Sequence, residues 1–124
     1  MLRQRHEIDE IGETMRPFSL ERDRARASVL EFCELYRSRP IARNNLGMGF
    51  NHCFAAWFIL RAMRPKVVVE SGVWRGQSTW LIEQAVPDAE VIAIDPVPAA
   101  RIYTSPRVRY ETSDFSRLDW SQTD

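Results

Sequence analysis

The chain is poor in the residues that build metal and redox centres. Its 124 residues include two cysteines and two histidines. Cys33 and Cys53 lack zinc-ligand or redox spacing, and His6 and His52 form no cluster with them. No metal site is expected, and each cysteine, set among apolar residues, reads as a reduced core thiol. His52 reads as a half-exposed helix histidine. Lysine is almost missing: all but one of the 17 basic residues are arginine. The 17 acidic residues balance them. The two signs are interspersed, as in Glu21-Arg22-Asp23-Arg24, which describes a solvated helix face rather than a nucleic-acid patch. The longest apolar run, Cys53 to Leu60, is too short to cross a bilayer. The stretch Met1-Leu2-Arg3-Gln4-Arg5-His6-Glu7 lacks the apolar core of a secretory signal. A cytoplasmic protein with neither nucleic-acid nor membrane partners is the expectation.

What the chain does contain is concentrated in residues 66–95, KVVVESGVWRGQSTWLIEQAVPDAEVIAID. Val67, Val68 and Val69 predict a strand buried on both faces, because they are β-branched without polar alternation. Glu70 breaks the run at the strand's end. Gly72 and Gly76 permit a tight turn and a close ligand approach. Ser78 or Thr79 is expected to cap a helix whose apolar side includes Trp80, Leu81, Ile82 and Ala85. Val91 to Ile94 predict a second strand, ended by Asp95. Ligands of open α/β sheets bind at the carboxyl ends of the strands, so both acids and both glycines fall at one edge.

Asp95 lies roughly 20 residues beyond the glycine turn, the offset at which an acid meets a ribose. A carboxylate offers acceptors where a ribose offers two vicinal hydroxyl donors. The turn is not G-x-G-x-x-G: Trp74 takes the place of the middle glycine. A bulky residue there argues against a pyrophosphate and for a less anionic cofactor. Each residue also has a plain structural reading. The glycines serve a tight connection, Glu70 caps a helix or pairs with an arginine, and Asp95-Pro96 ends a strand. Trp74 either overhangs the site or packs on the N-terminal helices.

The pattern E-x-G-x-x-x-G-x-S, with its valine strand before it and V-I-A-I-D-P after it, resembles the first two motifs of class I S-adenosylmethionine-dependent methyltransferases. The Glu-x-Gly-Val-Trp-Arg-Gly-x-Ser variant is similar to bacterial small-molecule and sugar O-methyltransferases, including the cephalosporin-hydroxylase-like group. The resemblance covers about residues 44–119. It implies that Gly72 and Gly76 line the methionine part of S-adenosylmethionine, that Glu70 bonds near its amino group, that Asp95 holds the ribose, and that Ser78 also belongs to the cofactor site. Asp114, in Tyr110-Glu111-Thr112-Ser113-Asp114-Phe115, resembles the family's third motif and would accept from the adenine amino group; as a residue alone it is equally a solvated turn acid.

Elsewhere, residues 1–18 read as a short helix or an arm. Ser19 is expected to cap a helix from about Leu20 to Arg37, with Val29, Phe32, Cys33 and Tyr36 on its apolar face. Residues 41–49 concentrate turn chemistry, and Asn44, Asn45 and Gly47 are secondary site candidates or a plain connector. Asn51 is expected to cap a helix from about His52 to Met63, apolar nearly all round and so buried on more than one side. Ala99 to Thr104 leave room for only a short helical turn before a third, edge-type strand over 108–112.

The expected fold is α/β, a partial Rossmann-like three-layer sandwich. Residues 1–43 form an N-terminal helical segment, and residues 44–124 a partial cofactor-binding domain with parallel strands one to three. The resembled family continues with further strands, which carry its acceptor-binding and catalytic groups. A fragment of a longer enzyme is therefore expected, or a sheet completed by another chain, as in a homo-oligomer joined at the exposed edge. The expected activity is methyl transfer to an oxygen of a small-molecule or sugar acceptor. A non-catalytic cofactor-binding remnant and a nicotinamide-binding Rossmann module are the alternatives.

Overall fold

The computed structural model describes residues 22–121. The arm over 1–18, the Ser19 cap and His6 lie outside the described residues. Helix α1 spans Arg22–Arg37 and α2 Phe50–Met63; strand β1 spans Val67–Ser71, α3 Gln77–Ala85, β2 Glu90–Ile94 and β3 Val108–Glu111. Short 3-10 turns occupy Pro98–Ala100 and Phe115–Arg117. The strands are parallel in the order β1-β2-β3. Val68 faces Val91, which faces Val108. This is a small α/β domain with a three-stranded parallel sheet, compatible with part of a Rossmann-like fold. No helix among the described residues is long and apolar enough to cross a membrane.

Helix α3 is the centre of the packing. Seven of its nine residues are buried. Ile82, with Val86 just beyond the helix, joins Val73 of the turn after β1 and Val91, Ala93 and Val108 of the sheet. Trp80, Leu81 and Ala85 face the other way and cluster with Phe32 of α1 and with Cys53 and Trp57 of α2. The helix thus lies between the sheet and the α1–α2 pair. Phe32 is fully buried, its ring centroid 5.3 Å from that of Trp57. Each such side chain contributes about 1.5–3 kcal/mol by leaving water.

Several local expectations need correction. Helix α2 begins at Phe50 with Gly49 as N-cap and no side-chain cap bond, so Asn51 sits inside the first turn. Gly76, not Ser78 or Thr79, precedes α3. Helix α2 buries a single stripe: only Cys53 and Trp57 are buried, while Phe50 and Met63 are exposed. Its packed side meets α1 and α3, and no further element closes the opposite side among the described residues. On α1, Phe32 is the buried residue, Val29 is exposed, and Leu35 and Tyr36 pack at the cluster's margin. Cys53 is buried and Cys33 half-buried, and both are free thiols. His52 is exposed. Strand β3 ends at Glu111, one residue short of the expected span. Strand β1 is not buried on both faces: Val67 and Val68 are half-buried and Val69 is exposed, and the outer edge of β1 carries no strand among the described residues.

Candidate functional site

The turn after β1 holds three left-handed residues: Gly72 (φ 87°), Trp74 (φ 51°) and Gly76 (φ 94°). The two glycines are there for different reasons. A Cβ on Gly72 would meet no protein atom within 4 Å. Its missing side chain leaves open room at the sheet edge. A Cβ on Gly76 would stand 2.6 Å from the Tyr103 carbonyl oxygen, so the crossover from β2 to β3 passes where that side chain would be. Packing thus accounts for Gly76, which is buried. Trp74 bears a left-handed strain of about 1–2 kcal/mol. Hydrogen bonds hold it there: its N–H donates to Asp95 Oδ2 at 3.2 Å and its indole Nε1 to the Asn45 carbonyl at 3.1 Å. Its ring is partly exposed, so Trp74 is a loop aromatic tied to the 41–49 segment.

Two carboxylates flank this turn. Glu70 and Asp95 are both 8% exposed. Register sets them at adjacent strand ends: Ser71 pairs with Ile94, and the Gly72 N–H donates to the Ile94 carbonyl at 2.9 Å. Asp95 receives the Trp74 and Val97 amides, one on each oxygen. Each oxygen keeps a second acceptor direction. Glu70 receives the hydroxyls of Ser78 and Thr79 from the first turn of α3. Those two residues therefore serve the carboxylate rather than the helix cap. Burial raises the Glu70 carboxyl above its ordinary 4.5; the Ser78 and Thr79 hydroxyls oppose this, Asp95 adds to it, and Arg101 opposes it.

That shift has a measurable sign. Between 4.5 and its raised value, Glu70 holds a proton in the folded chain that the unfolded chain has released. Stability therefore falls as pH rises through that window. A Glu70→Gln variant should lack this fall. Thermal unfolding midpoints of both proteins, from about pH 4 to about pH 7, should converge at the acid end and separate above it. Parallel curves would rule the assignment out.

The crossover is fastened from two sides. The Arg75 carbonyl accepts from the Ile102 and Tyr103 amides at 3.0 and 2.9 Å. On the other side Glu83, on α3 and 3% exposed, accepts from Tyr103 Oη and Ser105 Oγ at 2.7 Å each and from Arg107 Nε at 3.2 Å. The 41–49 loop joins the same assembly. Arg75 Nη1 donates to the Arg43 carbonyl, and the Ile41 amide to Gln77 Oε1. Glu83, Gln77 and Arg101 were not legible as site-forming residues. The one available signal was Glu83, an acid directly after the apolar segment Trp80-Leu81-Ile82.

Among the described residues, the buried polar atoms without a partner are Asn44 Oδ1, Gln77 Nε2, and Arg101 Nε and Nη2. All belong to segments that meet at the glycine-turn edge. A cavity lies elsewhere. It measures about 520 Å3 and opens where β1 begins, between the ends of α2 and α3, lined by Trp57, Arg61, Lys66 and Asp88 among others. None of the unpaired buried polar atoms among the described residues lines it, so the chemistry points to the carboxyl edge rather than to this cavity. Gly47 packs against the Asn44 side chain, which ties Asn44 and Gly47 into the loop's own turn.

Asp114 is not brought into contact with the other candidates. It follows β3, is fully exposed, and caps the 3-10 turn over Phe115–Arg117. The Ser116 amide and hydroxyl both donate to it and lower its carboxyl below the ordinary value. No group of three His, Cys, Asp or Glu residues suited to a metal ion occurs among the described residues. No family model, curated protein or solved structure matches the chain.

Proposed function

We propose that the carboxyl edge of the sheet binds S-adenosylmethionine, and that the chain carries the cofactor-binding part of a methyltransferase acting on an oxygen of a small molecule or sugar. One observation carries this reading: two buried carboxylates, Glu70 and Asp95, stand at neighbouring strand ends around Gly72, whose missing side chain leaves open space. The unpaired buried atoms of Asn44, Gln77 and Arg101 support a polar ligand at this edge. Asp95 retains one acceptor direction per oxygen, which suits a vicinal diol. Glu70, held by Ser78 and Thr79, suits a cationic donor such as an ammonium. The bound cofactor would supply an electrophilic methyl group on a sulfonium. The chain's own part is to fix that group's orientation against an acceptor and to exclude water. Trp74 favours this reading over a nicotinamide dinucleotide, because an indole fills the turn position where a pyrophosphate needs bare backbone.

Calorimetric titration with S-adenosylhomocysteine tests the proposal. The protein should bind it with micromolar affinity. Asp95→Ala should weaken binding by more than about 100-fold, since two hydrogen bonds to a charged acceptor are lost. A matched thermal unfolding curve is needed, because Asp95 also holds the Trp74 and Val97 amides. A folded protein that gives no binding heat would sink the proposal.

A further inference from the structure

Three described residues other than glycine are left-handed: Leu46 (φ 64°), Arg64 (φ 49°) and Trp74 (φ 51°). One hydrogen bond joins the surroundings of two of them. The Trp74 indole donates to the carbonyl of Asn45, the residue before Leu46, at 3.1 Å. Leu46 is 96% exposed, so no packing of its side chain offsets its strain.

Residues 44–47 form a β-turn, closed by the Gly47 amide on the Asn44 carbonyl at 3.0 Å. Leu46 is left-handed and Asn45 is not, which makes the turn type II. That type asks for glycine or asparagine at its third position, where this chain has leucine. The residues themselves suit a type I turn, with Asn44 first and Gly47 last. The two types share their ends and differ in the orientation of the central peptide, here Asn45–Leu46. Turning that peptide over takes Leu46 to negative φ and relieves its strain. It also swings the Asn45 carbonyl away from the indole and brings the Leu46 amide to the side of Asn44. An unused acceptor is available there. Asn44 Nδ2 donates to the Met48 carbonyl at 3.5 Å, while Oδ1 is enclosed and receives nothing. An asparagine at the head of a turn can accept from the amide two residues on.

The observed turn therefore keeps the indole bond and carries a strained leucine and an empty acceptor. The turned-over form loses that bond and relieves both. Left-handed strain and a net hydrogen bond are similar in size, so a modest bias decides between the two. The candidate site supplies a bias. The Trp74 amide donates to Asp95 Oδ2 at 3.2 Å, so whatever fixes Asp95 fixes the residue whose indole holds the turn.

We propose that the Asn45–Leu46 peptide is a two-state switch held by Trp74. While the indole bonds the Asn45 carbonyl, the turn is type II. When the indole is released, the peptide turns over to type I and the Leu46 amide takes Asn44 Oδ1. A ligand seated against Asp95 selects the held form. This rests on the reading of the carboxyl edge as an adenosyl-cofactor site and adds the route by which occupancy reaches the 41–49 loop.

Nuclear magnetic resonance reads the peptide directly. The nuclear Overhauser effect from the Asn45 Hα to the amide proton of residue 46 is strong in a type II turn and weak in type I. In wild type, S-adenosylhomocysteine should strengthen it. Trp74→Phe, which keeps a ring without the donor, should lose most of it. Leu46→Gly should show it at full strength with or without ligand, because glycine adopts a left-handed φ without strain. A strong effect in folded, ligand-free Trp74→Phe would overturn the inference, as would a ligand-dependent effect in Leu46→Gly. If Trp74→Phe does not fold, the wild-type titration still decides. Calorimetric binding that leaves the effect unchanged would overturn the switch and leave the adenosyl site standing. No binding heat from the folded wild type would remove the site reading, and the inference with it.

Discussion

Gly76→Ala is expected to cost about 2–5 kcal/mol of folding stability, a large share of the roughly 5–15 kcal/mol that holds a domain together. The sum has two parts. At φ 94° an L-residue is strained by about 1–2 kcal/mol. The new methyl would also stand 2.6 Å from the Tyr103 carbonyl oxygen, and relieving that overlap costs about 1–3 kcal/mol. The crossover cannot simply retreat, because the Ile102 and Tyr103 amides are bonded to the Arg75 carbonyl one residue away. Gly72→Ala is the informative partner. Its φ of 87° carries the same strain, yet its Cβ meets no atom within 4 Å. It should lose only about 1–2 kcal/mol and remain folded. Urea denaturation midpoints of the two variants separate these cases. Equal losses would show that the close approach of Tyr103 is not what requires glycine at 76.

Glu83→Ala should destabilise by about 2–4 kcal/mol. The carboxylate is 3% exposed and serves two hydroxyls and a guanidinium. The ion pair to Arg107 contributes little of this, because that side chain is 57% exposed and water screens it. The loss comes from the Tyr103 and Ser105 hydroxyls, left partly enclosed without an acceptor. Glu83→Gln should cost less, since one amide oxygen still accepts. Tyr103 provides a second readout. Burial, with help from the Glu83 hydrogen bond and charge, pushes its phenol up to about 12 from 10. The stability it contributes is present below pH 10 and lost as pH rises through about 12. In Glu83→Gln the tyrosine absorbance titration should move back toward 10. An unmoved titration would mean that Glu83 does not hold Tyr103 in solution.

The strand–turn–helix–strand core was legible because its signals are local. A valine run, a glycine turn, a helical apolar stripe and an acid at a strand's end each lie within a few residues of one another. Asp95 was marked by its spacing from the glycine turn and Glu70 by ending the valine run, and both are buried at neighbouring strand ends. The caps were misplaced because Ser78 and Thr79 carry the side chains that cap helices. Their hydroxyls instead go to Glu70, a residue from the preceding strand, and a left-handed glycine starts α3. Glu83 and Arg101 were illegible for the same reason in stronger form. The partners of Glu83 lie 20 or more residues away, and Arg101 meets Tyr110 only once β3 has joined the sheet. Helix α2 misled through composition. A helix apolar nearly all round predicts burial on more than one side, yet the described residues supply neighbours on one.

The Arg75 carbonyl receives two successive amides of the crossover while its own residue stands inside the glycine turn. Amide exchange with solvent gives this geometry a consequence. A loop of mostly irregular backbone would ordinarily exchange its amide protons one by one through small local fluctuations. Here the Ile102 and Tyr103 protons cannot be released without parting the crossover from the turn, and the turn is bonded in turn to Asp95 and to the 41–49 loop. The edge therefore opens as one cooperative unit. Anything that binds between Gly72 and Asp95 slows exchange throughout that unit, including at amides it never touches.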